Sequence, residues 1–213
     1  MRIQAVIFDL DGVLVHTDRY HYEAWQQLAD EEGISFDVSI NDRLRGVSRM
    51  ESLDIILEKS LRSYTKSEKE ALADRKNGYY RELLHQLTPS DAADSAVSCI
   101  DSCRRHGVKI AIGSSSRNTP IILERIGLAH AFDAIADGNQ IARSKPDPEV
   151  FLLAAQQLGV DPAHCLVVED AEAGLAAAER AGMSKAAIGA AYESPLADFR
   201  LRSLAELAGI LFE

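Results

Sequence analysis

Short apolar runs that each stop at a polar turn recur along this chain, with helical segments between them, and that alternation constrains the fold more than any other feature. Residues 3–8 stop at Asp9, and residues 108–112 stop at Gly113-Ser114-Ser115-Ser116. Residues 132–136 stop at Asp137-Gly138, 165–168 at Glu169-Asp170, and 185–188 at Gly189. Runs of this length and β-branched content read as strands buried on both faces. Helical patterns at 92–106, 119–127, 148–158 and 171–181 separate them. Thr119-Pro120 and Asp147-Pro148 read as caps followed by a first-turn proline, and Gly127, Gly159 and Gly182 as stops. The expected fold is α/β: a Rossmann-like parallel sheet with helices on both faces. In such a sheet, ligands bind beyond the carboxyl ends of the strands, where the polar turns lie.

The alternation breaks once. Residues 16–88 read as helix only, at 20–32, 50–58 and 67–87, and most connections in compact domains are far shorter. The expected organisation is an α/β core formed by 1–15 and 89–213, with 16–88 inserted as an α-helical cap domain over the strand ends. The Glu68-Lys69-Glu70 run reads as an exposed helical face.

Charge narrows the partners. Lys and Arg total 23 against 33 Asp plus Glu, a formal net charge of −10, which disfavours sequence-independent binding to nucleic acid. Phosphorylated small molecules stay open, since a few cations in a cleft dominate locally. No apolar run is long enough to span a membrane, and the first residues meet charge too early for a signal peptide. Cys99, Cys103 and Cys165 cannot all pair with one another, so buried or surface thiols in a reducing cytoplasm are expected.

Asp9-Leu10-Asp11-Gly12 follows the first strand directly. In an extended segment both carboxylates point the same way, and Gly12 permits a sharp turn behind them. A lone Asp-x-Asp recurs by chance in acidic chains, but at a buried strand end unpaired carboxylates are costly and call for a cation. Glu169-Asp170 adds two carboxylates at the same edge, a hard-oxygen cluster suited to Mg²⁺; the plainer reading makes Asp170 the N-cap of the helix behind it. The Ser114 hydroxyl, nearby backbone amides and the Lys145 ammonium could hold phosphoryl oxygens.

An Asp-x-Asp after strand one, a Ser after strand two, a Lys before a later helix and an acidic pair after strand four resemble, in order and placement, the motifs of the haloacid dehalogenase superfamily. Within it the chain resembles the β-phosphoglucomutase family. That resemblance is carried by Phe8-Asp9-Leu10-Asp11-Gly12-Val13, Tyr20-His21 with Ala24-Trp25, and Gly46-Val47-Ser48-Arg49 with Glu51-Ser52-Leu53. Arg75-Lys76-Asn77, Ser114-Ser115-Ser116-Arg117-Asn118 and Ser144-Lys145-Pro146-Asp147-Pro148 complete it. The segments in the helical insertion are the more diagnostic, because generic phosphatases of the superfamily share only the core motifs.

The resemblance implies a Mg²⁺-dependent intramolecular phosphotransferase. It would convert β-glucose 1-phosphate to glucose 6-phosphate through an aspartyl-phosphate and β-glucose 1,6-bisphosphate, as a cytoplasmic monomer. Asp9 would be the nucleophile and Asp11 the general acid/base, with Ser114 and Lys145 balancing charge on the phosphoryl group. Asp9, Asp11, Glu169 and Asp170 would hold the metal. His21, Trp25, Gly46, Val47, Ser48, Arg49, Ser52 and Lys76 from the cap, and Ser115, Ser116, Arg117 and Asn118 from the core, would bind the phosphosugar. Read from the residues alone, Trp25 equally suits the packing of the cap. His16, where many relatives have an acidic residue, and Asp94-Ser95, where many have Pro-Gly, depart from the family pattern. The rival readings are a sugar-phosphate phosphatase on the same scaffold and a non-catalytic phosphosugar-binding module.

Overall fold

The computed structural model describes residues 3–44 and 47–212. In chain order its elements are β1 (Ala5–Phe8), α1 (Asp18–Glu32), α2 (Val38–Asp42), α3 (Arg49–Leu57), α4 (Lys66–Leu84), α5 (Ala96–Arg105), β2 (Lys109–Gly113) and α6 (Thr119–Arg125). Then follow β3 (Ala134–Ala136), α7 (Glu149–Leu158), β4 (Cys165–Glu169), α8 (Glu172–Arg180), β5 (Ser184–Ile188), β6 (Phe199–Leu201) and α9 (Leu207–Phe212). The chain divides into two compact units: one of Met1–His16 with Thr88–Glu213, the other of Thr17–Leu87.

The first unit carries a six-stranded sheet in the order β3-β2-β1-β4-β5-β6, with every pairing parallel. Its central strands are apolar along their middles because both faces are covered, with charge only at an end, as at Glu169 of β4; β1 and β4 are buried at every position. On one face, Ile7, Ala111 and Val167 pack with Val150, Phe151 and Ala154 of α7 and with Ala177 and Ala178 of α8. The strand order reverses between β1 and β4, the place where sheets of this kind bind ligands. Phe8 pairs with Val168 there, so Asp9 and Glu169 emerge side by side.

The second unit is helical throughout, as its residue pattern indicates. Trp25, Leu28, Phe36, Ile40, Leu53, Ile56 and Leu72 form its apolar centre. Ser48 caps α3 and Thr65 caps α4, each in a capping box closed by Glu51 and Glu68 respectively. Glu68 is therefore more than an exposed surface position: its carboxylate accepts from the Thr65 amide and from Arg62, while Lys69 pairs with Asp54.

Several boundaries differ from the sequence expectation, each for a local reason. Asn118 is the cap of α6, which puts Pro120 one position further in, and α7 starts at Glu149 behind Pro148. The third run yields a strand only over Ala134–Ala136. The α2, β6 and α9 segments are too short to show a period. Asp170 caps nothing: the cap position of α8 is Ala171, and the Glu169 carboxylate takes the amides of both Asp170 and Ala171.

At the start of α5, Ser95 stands at φ 66°, the one non-glycine residue with positive φ among the described residues. It occupies, with a side chain, a conformation suited to glycine, where the Cβ crowds the backbone by about 1–2 kcal/mol. Glycine would relieve that cost and give back about 0.5–1 kcal/mol through the unfolded chain. Ser95→Gly should therefore raise Tm by up to a few degrees in calorimetry, and Ser95→Val should lower it. A lower Tm for the glycine variant would contradict the assignment of strain here.

Candidate active site

Asp9 leaves the end of β1 with its amide on the Val168 carbonyl at 2.9 Å, so the sheet ladder itself sets its direction. The residue is 8% exposed, and Glu169, at the end of β4, is 1% exposed. Between them lies the Lys145 ammonium, 2.5 Å from Asp9 Oδ1 and 2.5 Å from Glu169 Oε1. The remaining Glu169 oxygen accepts from the amides of Asp170 and Ala171 at 2.9 and 3.0 Å. Carboxylate oxygens of Asp9, Glu169 and Asp170 lie within 4.8 Å of one another. The Lys145 ammonium also stands 4.7 Å above the Phe151 ring, a cation–π contact.

Glycines make the room. A Cβ on Gly174 would lie 1.9 Å from Glu169 Oε1, and one on Gly12 would lie 2.0 Å from Asp170 Oδ2. Gly12 also stands at φ 83° in the turn behind Asp11, where its amide donates to the Val15 carbonyl at 2.7 Å. A Cβ on Gly113 would lie 2.7 Å from Phe151 Cδ1, so that glycine lets the ring under Lys145 approach β2.

Burial and neighbouring charge shift these groups. Burial works against the Lys145 ammonium, but the charges of Asp9 and Glu169 outweigh it and raise its pKa. Burial pushes Glu169 up to about 7, with Lys145 opposing and Asp9 reinforcing. Burial, then the charges of Asp9 and Glu169, pushes Asp170 up to about 8. One ammonium does not neutralise three carboxylates. The donor set is all hard oxygen and the glycines leave space around it, so these residues fit a Mg²⁺-sized cation.

The β2 turn supplies the neighbouring wall. Ser114 Oγ accepts from the Ser116 amide and Ser116 Oγ from the Asn118 amide, each at 3.2 Å. The Ser115 hydroxyl accepts from the Lys145 amide at 3.3 Å, which joins this turn to the Lys145 loop. The Asp137–Gln140 turn backs it: Gly138 N–H donates to Ser116 O at 3.1 Å and Asn139 Nδ2 to Arg117 O at 3.0 Å. A Cβ at Gly138 would meet Ser115 O at 2.3 Å.

In the helical unit, Lys76 is 2% exposed and donates to His21 Nδ1 at 2.8 Å. Its ammonium lies 4.6 Å from the Trp25 ring and 4.9 Å from Tyr80. Tyr80 stacks on His21 at 4.0 Å and its hydroxyl meets Thr17 Oγ1 at 2.8 Å. Burial, then the charges of Lys76 and Arg49, holds His21 well below its usual pKa, so it is neutral and offers Nδ1 as acceptor. Trp25 belongs to the apolar centre, Ser48 uses its hydroxyl as the α3 cap, Arg49 opens α3, Ser52 is buried and Val47 is exposed. Gly46 lies outside the described residues. Reading by motif passed over Gly174, Glu149 and Arg180. A glycine inside the Ala-rich α8 is the signal that could have found the first, since helices tolerate glycine there only at a cost.

The fold places an acidic cluster and one ammonium at the strand switch of a parallel α/β sheet. Residues 3–182 match the family model of the haloacid dehalogenase-like hydrolases, and the chain belongs to that family. It is 42% identical to the β-phosphoglucomutase of Bacillus subtilis (strain 168), over 96% of this chain and 92% of that protein. It is 32% identical to the Escherichia coli (strain K12) fructose-1-phosphate phosphatase YqaB, over 85% of this chain and 94% of that one. The crystal structure of β-phosphoglucomutase from Clostridium difficile superposes with a TM-score of 0.88 at 39% identity, covering 96% of this chain and 93% of that chain.

Two consequences can be measured. Gly→Ala inside a helix ordinarily stabilises by about 1 kcal/mol, but Gly174→Ala should destabilise by about 1–3 kcal/mol through collision with Glu169. Urea unfolding decides between them, and a stabilised variant would contradict the cradle. His21 has a depressed folded pKa, so below its ordinary value of 6.5 the unfolded chain binds more protons and stability falls with falling pH. The Tm should fall less steeply from about pH 7 to pH 5 in His21→Gln than in the wild type, and equal slopes would contradict a buried neutral His21.

Proposed function

We propose that the protein is a β-phosphoglucomutase, a Mg²⁺-dependent isomerase working as a monomer in the cytoplasm on β-glucose 1-phosphate, glucose 6-phosphate and β-glucose 1,6-bisphosphate. The observation that carries the phosphotransfer reading is the buried Asp9 carboxylate paired with Lys145 at the strand switch. The identity to the B. subtilis β-phosphoglucomutase over nearly the whole of both chains supports the mutase reading within the family.

The enzyme starts as the Asp9 acyl phosphate and passes that phosphoryl group to the 6-hydroxyl of β-glucose 1-phosphate, freeing the Asp9 carboxylate. The β-glucose 1,6-bisphosphate reorients, and Asp9 attacks the phosphorus at C1 in line, so that glucose 6-phosphate leaves and the acyl phosphate is restored. Asp11 gives a proton to the leaving sugar oxygen and takes one from the attacking hydroxyl. Lys145 and the Ser114 turn hold charge on the phosphoryl oxygens. Asp9, Glu169 and Asp170, with the Asp11 backbone carbonyl, would hold Mg²⁺, which would add further neutralisation of phosphate charge when bound. Arg49, Ser116, Arg117 and Asn118 take the second phosphate, a task for which a planar guanidinium is suited. Lys76, His21, Trp25, Gly46, Val47, Ser48, Ser52 and Ser115 complete the set that recognises or surrounds the sugar.

Phosphorus NMR of β-glucose 1-phosphate with Mg²⁺ and a trace of the 1,6-bisphosphate tests this. Glucose 6-phosphate is the expected product. Free phosphate would make the protein a phosphatase, the reading favoured by its likeness to YqaB. No turnover would leave only a binding role. Asp9→Asn should lower turnover by roughly 10³-fold or more, since an amide cannot form the acyl phosphate, and Asp11→Asn by roughly 10²–10⁴-fold.

A further inference from the structure

Three members of the charged cluster are placed by the sheet. Asp9 follows β1, Glu169 ends β4 and Asp170 follows it. Lys145 is different: it stands in the loop between β3 and α7, among exposed residues Ala142, Arg143, Ser144 and Pro146. A flexible side chain on a loop is the least determined of the four, yet its ammonium meets two carboxylates at 2.5 Å each.

Two side chains outside every motif named above hold that loop on either side of Lys145. The Glu149 carboxylate closes over the incoming strand of the loop: Oε1 accepts from the Ala142 amide at 3.0 Å and Oε2 from the Arg143 amide at 2.9 Å. The Ala142 amide, ahead of the Arg143 contacts, holds this carboxyl below its usual range, so it is ionised at neutral pH. On the outgoing side, Arg180 Nη1 donates to the Pro146 carbonyl at 2.6 Å. Glu149 is the first residue of α7 and Arg180 the last of α8, so the loop is tied to two helices that pack on the sheet. Charged partners make the stronger hydrogen bonds, and neither side chain reaches the cluster itself.

We propose that Glu149 and Arg180 are positioning residues for Lys145: they fix the backbone of the 142–148 loop so that one ammonium meets Asp9 and Glu169 together, and thereby set the rate of phosphoryl transfer. The inference rests on the phosphotransfer reading of that site. A displacement of about 1 Å at a reacting centre costs up to about 10²-fold in rate, so a loosened loop is visible in kcat.

The test is a double-mutant cycle on radiolabelled phosphoryl transfer, which stays measurable in slow variants. Glu149→Gln and Arg180→Met should each lower kcat by about 10-fold with KM little changed, and Arg180→Lys, which keeps a donor, should recover part of the loss. In a Lys145→Ala background neither substitution should lower the rate further, because the group they position is gone. Circular dichroism should show the same fold in every variant. Losses that multiply in the Lys145→Ala background, or full kcat in both single variants, would overturn the proposal while leaving the site intact. A Lys145→Ala enzyme with undiminished transfer would overturn the reading of the site and the proposal with it.

Discussion

Lys145 lies between two buried carboxylates, and the site depends on that contact. Ionised carboxylates inside a protein are expensive unless paired. Asp9 and Glu169 are brought together because β1 and β4 are hydrogen-bonded neighbours whose ends coincide. The sheet therefore creates an electrostatic problem in the course of creating the site, and the ammonium solves part of it. Asp170 makes the remainder larger, which is the physical reason the cluster suits a divalent cation and a phosphorylated substrate near it.

Space is the second constraint. Side chains of this size reach one another at a strand switch only where the backbone across from them carries no Cβ. Gly12 and Gly174 meet that need for Asp170 and Glu169, and Gly113 does so for the Phe151 ring beneath Lys145. In the helical unit a second buried ammonium, Lys76, is stabilised differently, by a neutral imidazole and two aromatic faces. Lys145 has two carboxylates at hydrogen-bond distance, and the surroundings of Lys76 include π-faces and the lone pair of His21.

Much of this was legible in the sequence because the strands that matter are buried on both faces and so read as unbroken apolar runs ending at charge. The parallel sheet, its helices and the acidic pair behind β4 follow from that pattern. Short or edge elements escaped: α2, β6 and α9 span too few residues to show a period. Helix starts moved by a residue because Asn118 and Pro148, not the expected caps, stand at the cap positions of α6 and α7. The glycine cradle was the least visible part, since the reason for Gly174 lies in Glu169, on a different element, and only three-dimensional proximity reveals it. The same holds for Glu149 and Arg180, whose hydrogen bonds to the Ala142 and Arg143 amides and the Pro146 carbonyl go to backbone atoms and leave no motif in the sequence.

The central claim is that Asp9 receives the phosphoryl group. Acid-quenching the enzyme with β-glucose 1,6-bisphosphate and Mg²⁺, then mapping the modified peptide by mass spectrometry, tests it most directly. The account predicts a single phosphoryl group on Asp9, labile to hydroxylamine as an acyl phosphate is. A phosphoryl group on a serine or histidine, or turnover with none on the protein, would contradict it.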